Sequence, residues 1–357
     1  MTEPREPRGR WFRRHPRSAL LLSASLGTIA LLLLAEGAAR MLIPAWAPTR
    51  PERAQFWVYD EVLGWAHRPG QRGTFVHRDF SVEVRISSQG LRDAEYPYAR
   101  TRKRRMLVLG DSFGWGFGVE HEQVFSEILE RRQPGWEVIN ASVSGYGTDQ
   151  QLLYLERDGR RFSPDVVLLL FNSTDFENNI HEAQYWHNKP FFTLDGDRVT
   201  LRNQPVPRPT LEQRLDRFFV GQTYLLSHLY RPTLGKLLGG RRTGERIDRG
   251  SYSRIEYKEL VARRLLDEMQ DRCREMGARF VLVTTPLEPQ ADTMFESWSR
   301  RTEVPFLALA ASFVAAGREL PLEFRHDRHW NPTGHAIAAG AIETFLLEIG
   351  VFDPQAR

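Results

Sequence analysis

Two short runs of the sequence are almost entirely apolar, and they limit the fold more than any other feature. Residues 106–109 read MLVL, and residues 165–171 read DVVLLLF. A strand with one solvent-exposed face alternates polar and apolar side chains, whereas a strand that is buried on both faces does not. Such strands occur in parallel sheets that helices cover on both sides. The two runs therefore predict the interior of an α/β domain.

Helix and strand signals alternate along the chain around these runs. Helices are predicted at 124–132, 148–157 and 253–276, further strands at 136–139 and 279–284, and a last helix from Pro332 to just before Gly350. Thr148 or Asp149 is expected to cap the second helix. Asn331 is expected to cap the last helix, with Pro332 at its first position. The alternation predicts a three-layer α/β fold around a parallel sheet.

A basic stretch precedes an apolar segment near the N-terminus. Residues 1–17 hold six arginines and two glutamates, and removing these from the 49 basic and 45 acidic residues leaves 43 of each. The body of the chain is therefore neutral, which argues against a nucleic-acid partner. Residues 19–35 carry no charge. Together with the residues that follow, they are long enough to span a bilayer as a helix.

This pattern predicts the domain organisation. The positive-inside rule places the basic stretch in the cytoplasm and the chain beyond about residue 45 outside it, with the apolar segment in the inner membrane. The predicted parts are a cytoplasmic tail at 1–17, a transmembrane signal-anchor at 18–43, a linker and short β-rich lead-in at 44–104, and a main domain at 105–350 with an insertion at about 180–250. Within the lead-in, 44–51 is proline-rich, and 74–76 and 81–86 have strand character. A cleaved signal peptide is the alternative for the apolar segment.

Gly110, Asp111 and Ser112 follow directly after the apolar run 106–109. In open α/β sheets, functional side chains collect at the carboxyl ends of the strands. A serine hydroxyl in a tight turn there is accessible to substrate, and its backbone N–H is able to stabilise an oxyanion. All three residues are also common turn formers, so a plain turn is the alternative for the tripeptide alone.

A second polar group, HDRHWNP at 326–332, precedes the last predicted helix. Serine is a weak nucleophile unless a base takes its proton, and the base works best when a carboxylate orients its ring. Asp327 and His329 are two residues apart, so in an extended segment both side chains project to one side, where Asp327 holds His329 against Ser112. The alternative is a metal site, although the spacing matches no common zinc pattern. Its members would be His326, Asp327, His329 and His335.

Three blocks of the chain resemble the SGNH/GDSL hydrolases: GDS at 110–112, NASVSG at 140–145 and DRHWNPTGH at 327–335. The D-x-H-W-N form is similar to membrane-anchored bacterial members, including acetylesterase and O-acetyltransferase relatives in polysaccharide assembly. The stretches GLRD at 90–93 and FGWGFGV at 113–119 also resemble segments of those members.

The resemblance implies a flavodoxin-like sheet with Ser112 as nucleophile, His329 as base and Asp327 as the residue that orients the base. It also implies an oxyanion hole built from the Ser112 N–H, the Gly145 N–H and an asparagine side chain, with neither a cofactor nor a metal.

One block departs from the family pattern. Where the family has G-x-N-D after the third strand, this chain has Asn172, Ser173, Thr174 and Asp175. Thr174 stands at the position of the oxyanion asparagine, whereas Asn172 has the right amide at a shifted position. A threonine hydroxyl donates a hydrogen bond but reaches less far than an amide. The alignment favours Thr174 as the donor, and Asn172 is the alternative.

The resemblance and the predicted location together imply an extracytoplasmic serine ester hydrolase that forms an acyl-serine intermediate. Acetyl or other acyl esters of a glycan are the implied substrates. An O-acetyltransferase in polysaccharide modification is the alternative, because the outcome depends on which acceptor enters the cleft. A non-catalytic glycan-binding or assembly protein would fit the altered block at 172–175 but not the complete serine–histidine–aspartate set. The oligomeric state does not follow from the sequence.

Overall fold

The computed structural model describes residues 15–42, 55–185, 187–211, 214 and 252–353. Three predicted segments lie wholly or mostly outside these residues. They are the basic tail 1–17, the proline-rich stretch 44–51 and the second half of the insertion, 215–251.

The strands and helices are numbered in chain order over the described residues. The strands are β1 (Trp57–Asp60), β2 (Gly64–His67), β3 (Arg72–Val76), β4 (Ser81–Arg85), β5 (Arg104–Gly110), β6 (Trp136–Asn140), β7 (Val166–Phe171), β8 (Ala183–Gln184), β9 (His187–Asn188), β10 (Phe191–Asp195), β11 (Arg198–Arg202), β12 (Arg279–Thr284) and β13 (Phe306–Ala308). The helices are α1 (Pro16–Leu42), α2 (Ser112–Trp115), α3 (Phe125–Arg132), α4 (Thr148–Arg157), α5 (Asp175–Asn178), α6 (Arg254–Glu275), α7 (Pro289–Thr302), α8 (Ala310–Gly317) and α9 (Pro332–Glu348), with 3₁₀ turns at His121–Gln123 and Gly159–Phe162.

Five strands form the central sheet in the order β6-β5-β7-β12-β13, and every neighbouring pair is parallel. The second of these strands along the chain, β6, lies at one edge of the sheet next to the first, β5, and the other three follow beyond β5 in chain order. This is the flavodoxin-like order, which leaves a crevice at the carboxyl ends of β5 and β7. The predicted three-layer, flavodoxin-like α/β fold is therefore confirmed.

Alternate side chains of the central strands enter two separate cores. Leu107, Leu109 and Leu169 pack with α4, α6 and α7, whereas Val108 and Leu168 pack with α3, α8 and α9 on the other face. All six residues of β7 are 0% exposed. Because each fully buried valine, leucine or phenylalanine contributes about 1.5–3 kcal/mol, this strand anchors both cores. The apolar runs are thus strands covered on both faces, as predicted.

The lead-in from residue 55 onward is folded onto the α/β layers. It forms two antiparallel hairpins, β1–β2 and β3–β4. Its apolar side chains Phe56, Trp65 and Phe75 are at most 1% exposed and belong to the same core as β5 and β7. The described part of the predicted insertion adds two more hairpins, β8–β9 and β10–β11.

Helix α1 contains 27 residues, and none of them is buried. At about 1.5 Å per residue, a helix of this length exceeds the roughly 30 Å hydrocarbon core of a bilayer. Near its end, Arg40 forms an ion pair with Glu36 at 2.8 Å. Among the described residues, α1 is the one helix long and apolar enough to cross a membrane, and a signal sequence meets the same criteria.

Candidate active site

The predicted site residues follow the carboxyl ends of neighbouring strands. Gly110 of β5 pairs with Leu170 of β7, and Ser112 and Asn172 each lie two residues beyond this pair. The loop after β6 continues alongside β5, because the Val143 N–H donates to the Gly110 carbonyl at 3.2 Å. The sheet register therefore brings the three loops to one edge, where the strand order reverses.

Ser112 is the first residue of the one-turn helix α2. Asp111 caps this helix, since its carboxylate accepts a hydrogen bond from the Phe113 N–H at 2.9 Å. Burial raises the pKa of the Asp111 carboxyl to about 6, against the opposing effect of this hydrogen bond and of one from the Thr174 hydroxyl. The turn that presents Ser112 is thus fixed by its own neighbour.

A continuous hydrogen-bonded chain joins Ser112, His329 and Asp327. His329 Nε2 lies 2.6 Å from Ser112 Oγ. On the other side of the ring, Nδ1 bonds to Asp327 Oδ1, which also accepts the His329 backbone N–H at 2.9 Å. A carboxylate accepts only, so Nδ1 carries the proton and Nε2 is left to accept one from the serine.

Aromatic packing and charge hold this arrangement. The His329 ring stacks on Phe117, with ring centroids 4.1 Å apart, and also contacts Phe113 at 4.9 Å. Partial burial acts to raise the pKa of the Asp327 carboxyl. The hydrogen bonds and charge of His329 outweigh burial, so the pKa of Asp327 lies below its usual value. Asp327 therefore stays ionised at neutral pH and orients the ring.

The four residues of the alternative metal site face different partners. His326 Nδ1 bonds to Asp79 at 2.6 Å, and the buried His335 lies 3.4 Å from the Phe125 N–H. Asp327 and His329 bond to each other. In the part of the chain that the structure describes, one group has the geometry to hold a metal ion, and it shares no member with these four. It consists of Asp93, His121 and Glu127.

Two backbone N–H groups of the predicted oxyanion hole are available. Among the described residues, neither the Ser112 N–H nor the Gly145 N–H has a hydrogen-bond partner. Gly145 has a φ of +82°, and a Cβ there would lie 2.8 Å from the Tyr185 ring. Only glycine fits this backbone conformation and this contact without strain.

The hydrogen bonds of the 172–175 loop distinguish its two candidate donors. Asn172 Oδ1 accepts the Thr174 N–H at 3.0 Å, so the amide oxygen must face that donor and Nδ2 must face away. Asn172 Nδ2 has no partner within the described residues. The single hydroxyl proton of Thr174 is shared between Asn172 Oδ1, at 3.3 Å, and the Asp111 carboxylate. Among the described residues, the free side-chain donor of this loop is therefore the Asn172 amide.

Comparisons with known proteins show the family to which the chain belongs. The model of the GDSL-like lipase/acylhydrolase family matches residues 108–337, more than half of the chain. A search of curated protein sequences finds no significant match.

The solved structures that this chain resembles are only distantly similar to it. The psychrotrophic esterase EstA from Pseudoalteromonas sp. is 13% identical, with 68% of this chain and 99% of that chain covered and a TM-score of 0.39. A member of the lipolytic protein G-D-S-L family from Veillonella parvula is 10% identical, with 69% and 97% covered and a TM-score of 0.38. A two-domain esterase active on acetylated mannans is 16% identical, with 69% and 50% covered and a TM-score of 0.35.

Proposed function

This chain belongs to the GDSL-like lipase/acylhydrolase family and is a hydrolase of ester bonds, and on that premise we propose that it works through an acyl-serine intermediate on Ser112. The observation that carries the proposal is the hydrogen-bonded chain from Ser112 Oγ through His329 to Asp327. A serine hydroxyl becomes a useful nucleophile when a neutral imidazole accepts its proton at hydrogen-bond distance.

In the proposed reaction, Ser112 Oγ attacks the ester carbonyl while His329 Nε2 takes the hydroxyl proton. The ionised Asp327 stabilises the imidazolium that forms and keeps its ring in place. The tetrahedral intermediate then collapses, and His329 returns the proton to the departing alcohol. A water molecule hydrolyses the acyl-serine through the same steps, with His329 again acting as the base. The reaction needs no cofactor.

Three donors would stabilise the oxyanion: the backbone N–H groups of Ser112 and Gly145, and the side chain of Asn172. All three lack other partners among the described residues. This assignment departs from the alignment, which favours Thr174. Thr174 instead orients Asn172, because its backbone N–H binds the amide oxygen and leaves Nδ2 to donate.

Acetyl or other acyl esters of a glycan are the substrates that we favour. The support is the resemblance of residues 327–331 to members that modify polysaccharides, together with an aromatic surface at the site. The Tyr185 ring contacts Gly145 and is 43% exposed, so it offers a face on which the C–H side of a sugar ring would pack. A sugar hydroxyl that replaced water in the second step would make the same site an O-acetyltransferase.

Labelling with a fluorophosphonate tests the acyl-serine step. The full-length protein is expected to gain one adduct on the peptide that contains Ser112 and to lose its turnover of aryl acetate in parallel, because the phosphonyl group mimics the tetrahedral intermediate. Heat-denatured protein is the control. Turnover of acetyl and longer-chain esters, with and without sugar acceptors, then separates hydrolysis from transfer. An enzyme that turns over ester and resists the probe would contradict the proposal.

We further propose that α1 is retained as an inner-membrane anchor, with Ser112 outside the cytoplasm. The six arginines of residues 1–17 support this orientation through the positive-inside rule. We expect the protein to stay in the membrane fraction after alkaline carbonate washing and to keep its full-length mass. A periplasm-dependent reporter fused after residue 60 should be active. Recovery of a shortened, soluble chain would instead show that α1 is a cleaved signal sequence.

A further inference from the structure

Three of the four segments that carry the proposed catalytic groups are each held by a residue of the lead-in, residues 55–100. Arg92 bonds to the turn that ends α2, just after Ser112. Trp65 bonds to the loop that carries Gly145. Asp79 bonds to the segment that carries Asp327 and His329. The lead-in thus meets all three of these segments.

Arg92 donates to three carbonyls at the end of the α2 turn. Its guanidinium bonds to the Trp115 carbonyl at 2.7 Å, the Val119 carbonyl at 2.6 Å, and also the Gly116 carbonyl. The same group lies over the Trp115 ring, 4.4 Å from its centroid. A guanidinium presents its donors in one rigid plane, so these bonds fix the turn in position and in angle.

The environment of Arg92 is unusual for an arginine. The residue is 2% exposed, and among the described residues no carboxylate lies within ion-pair distance of it, although the charge of Glu120 acts on it from further away. Burial lowers the pKa of its guanidinium to about 10, which keeps it protonated at neutral pH. Gly116 permits the contact, since its φ is +82° and a Cβ there would lie 2.9 Å from Arg92 Nη1. A buried charge is costly unless its donors are satisfied, so the turn must keep its carbonyls on Arg92.

Asp79 and Trp65 hold the other two loops in a similar way. The Asp79 carboxylate accepts the His326 backbone N–H at 2.9 Å and contacts His326 Nδ1 at 2.6 Å. Trp65 Nε1 donates to the Ser144 carbonyl at 3.3 Å, and the Tyr146 hydroxyl donates to the Trp65 carbonyl at 2.5 Å. The bonds of Trp65 involve the two residues next to Gly145, and those of Asp79 involve a residue three positions before His329.

We propose that the lead-in is a clamp that sets the catalytic geometry, in which Arg92 positions Ser112 and Asp79 positions the segment of Asp327 and His329. The inference rests on the proposed function. Neither Arg92 nor Asp79 is expected to touch the substrate. Each acts through the loop that it holds, so its loss should slow the chemical step and leave substrate binding nearly intact.

The first test compares Arg92→Lys with Arg105→Lys in the full-length protein. Arg105 is a matched control, because it is 0% exposed and bonds to four carbonyls and Glu137, but at the opposite end of β5. Both variants keep the charge and lose the planar fork, and both should lower the melting temperature. With active sites counted by fluorophosphonate titration, Arg92→Lys should lower kcat per site by about 10–100-fold with KM within about twofold. Arg105→Lys should leave kcat per site unchanged.

The second test compares Asp79→Ala with Glu95→Ala. Both carboxylates accept one backbone N–H and one side-chain donor, but those of Glu95 come from Ser88, within the lead-in itself. Asp79→Ala should lower kcat per titrated site about tenfold, Asp79→Asn should restore part of the loss by accepting the His326 N–H, and Glu95→Ala should have no effect.

The outcomes separate this inference from the proposed function. If Ser112→Ala keeps its activity, the proposed function fails, whatever the lead-in variants do. If Ser112→Ala is inactive while Arg92→Lys and Asp79→Ala keep the wild-type kcat per site, only the clamp is wrong. If Arg92→Lys does not fold, the Asp79 pair decides. An equal loss in a variant and its control would mean that the lead-in has a general structural role and would overturn the proposal.

Discussion

Replacing Ser112 by alanine is expected to lower kcat/KM for an aryl acetate by a factor on the order of 10⁴–10⁶. His329→Ala should cost about as much, and the double variant should be no worse than either single one. The reason is that nucleophile and base act as one unit: without the imidazole 2.6 Å from Oγ the serine stays protonated, and without Oγ the imidazole has no proton to take. Initial rates of the full-length variants measure the effect.

Two further variants give this prediction its controls. Asp327→Asn should be comparable or somewhat milder, because the base remains but its ring loses the acceptor that sets the tautomer. Ser297→Ala should leave the rate unchanged, since among the described residues that hydroxyl bonds only to the Thr293 carbonyl within α7. Losses that multiply in the Ser112/His329 double variant would indicate two independent roles. Substantial activity in Ser112→Ala would rule out an acyl-serine intermediate.

Asn172→Ala is expected to lower kcat by about 10²–10³-fold, or about 3–4 kcal/mol of transition-state stabilisation. KM should change little, because the donor meets full negative charge only in the transition state. Thr174→Val should cost less, about tenfold or below, since its backbone N–H still holds the Asn172 amide oxygen. Steady-state kinetics on one acetyl ester, with sites titrated, measures both.

The opposite ranking would identify a different donor. A crippling Thr174→Val with a silent Asn172→Ala would mean that the family alignment is right and that the loop rearranges in the enzyme–substrate complex. If neither variant changes kcat, the oxyanion hole consists of backbone N–H groups alone. Thr174→Ser keeps the hydroxyl and should resemble wild type in every case, which makes it the control for packing changes.

Much of the fold follows from local patterns in the sequence. The run at 106–109 lies in β5, and the run at 165–171 matches β7 except for its first residue. The helices predicted at 148–157 and 253–276 match α4 and α6 within one residue at each end. These elements have strong signals because a buried strand and an amphipathic helix each leave a period in the sequence. In contrast, β13 has three half-buried residues at the sheet edge, too few to show a period.

Long-range polar contacts were not predictable in this way. Thr148 or Asp149 was expected to cap α4, but Gly147 stands at the N-cap and the expectation is wrong. Asp149 instead forms a fully buried ion pair with Lys189, forty residues further along the chain. Burial acts to lower the pKa of Lys189, and the Asp149 charge opposes this. The sequence shows which residues are charged, but it does not show which distant residue pairs with a charge and so allows that charge to be buried.

The candidate site shows the same division. Ser112, Asp327 and His329 could be named from the sequence because their chemistry requires those residue types near strand and helix ends. The spacing of residues does not reveal that the Thr174 N–H donates to the Asn172 side chain, or that backbone carbonyls surround Arg92. Both contacts depend on the backbone geometry of the folded chain. An arginine in a short β-rich segment has the sequence signature of a surface residue, and only tertiary structure reveals it as buried.

The packing of the lead-in bears on how this protein should be shortened for crystallisation or engineering. The family match begins at residue 108, inside β5, yet Trp115 lies beneath the rings of Phe56 and Phe75, at centroid distances of 6.4 and 6.2 Å. A chain that began at the family boundary would lose both rings and expose Trp115 and its apolar neighbours to water. An exposed hydrophobic patch of this kind favours aggregation. A shortened chain that keeps this core intact should therefore begin before Phe56, about 50 residues ahead of the start of the family match.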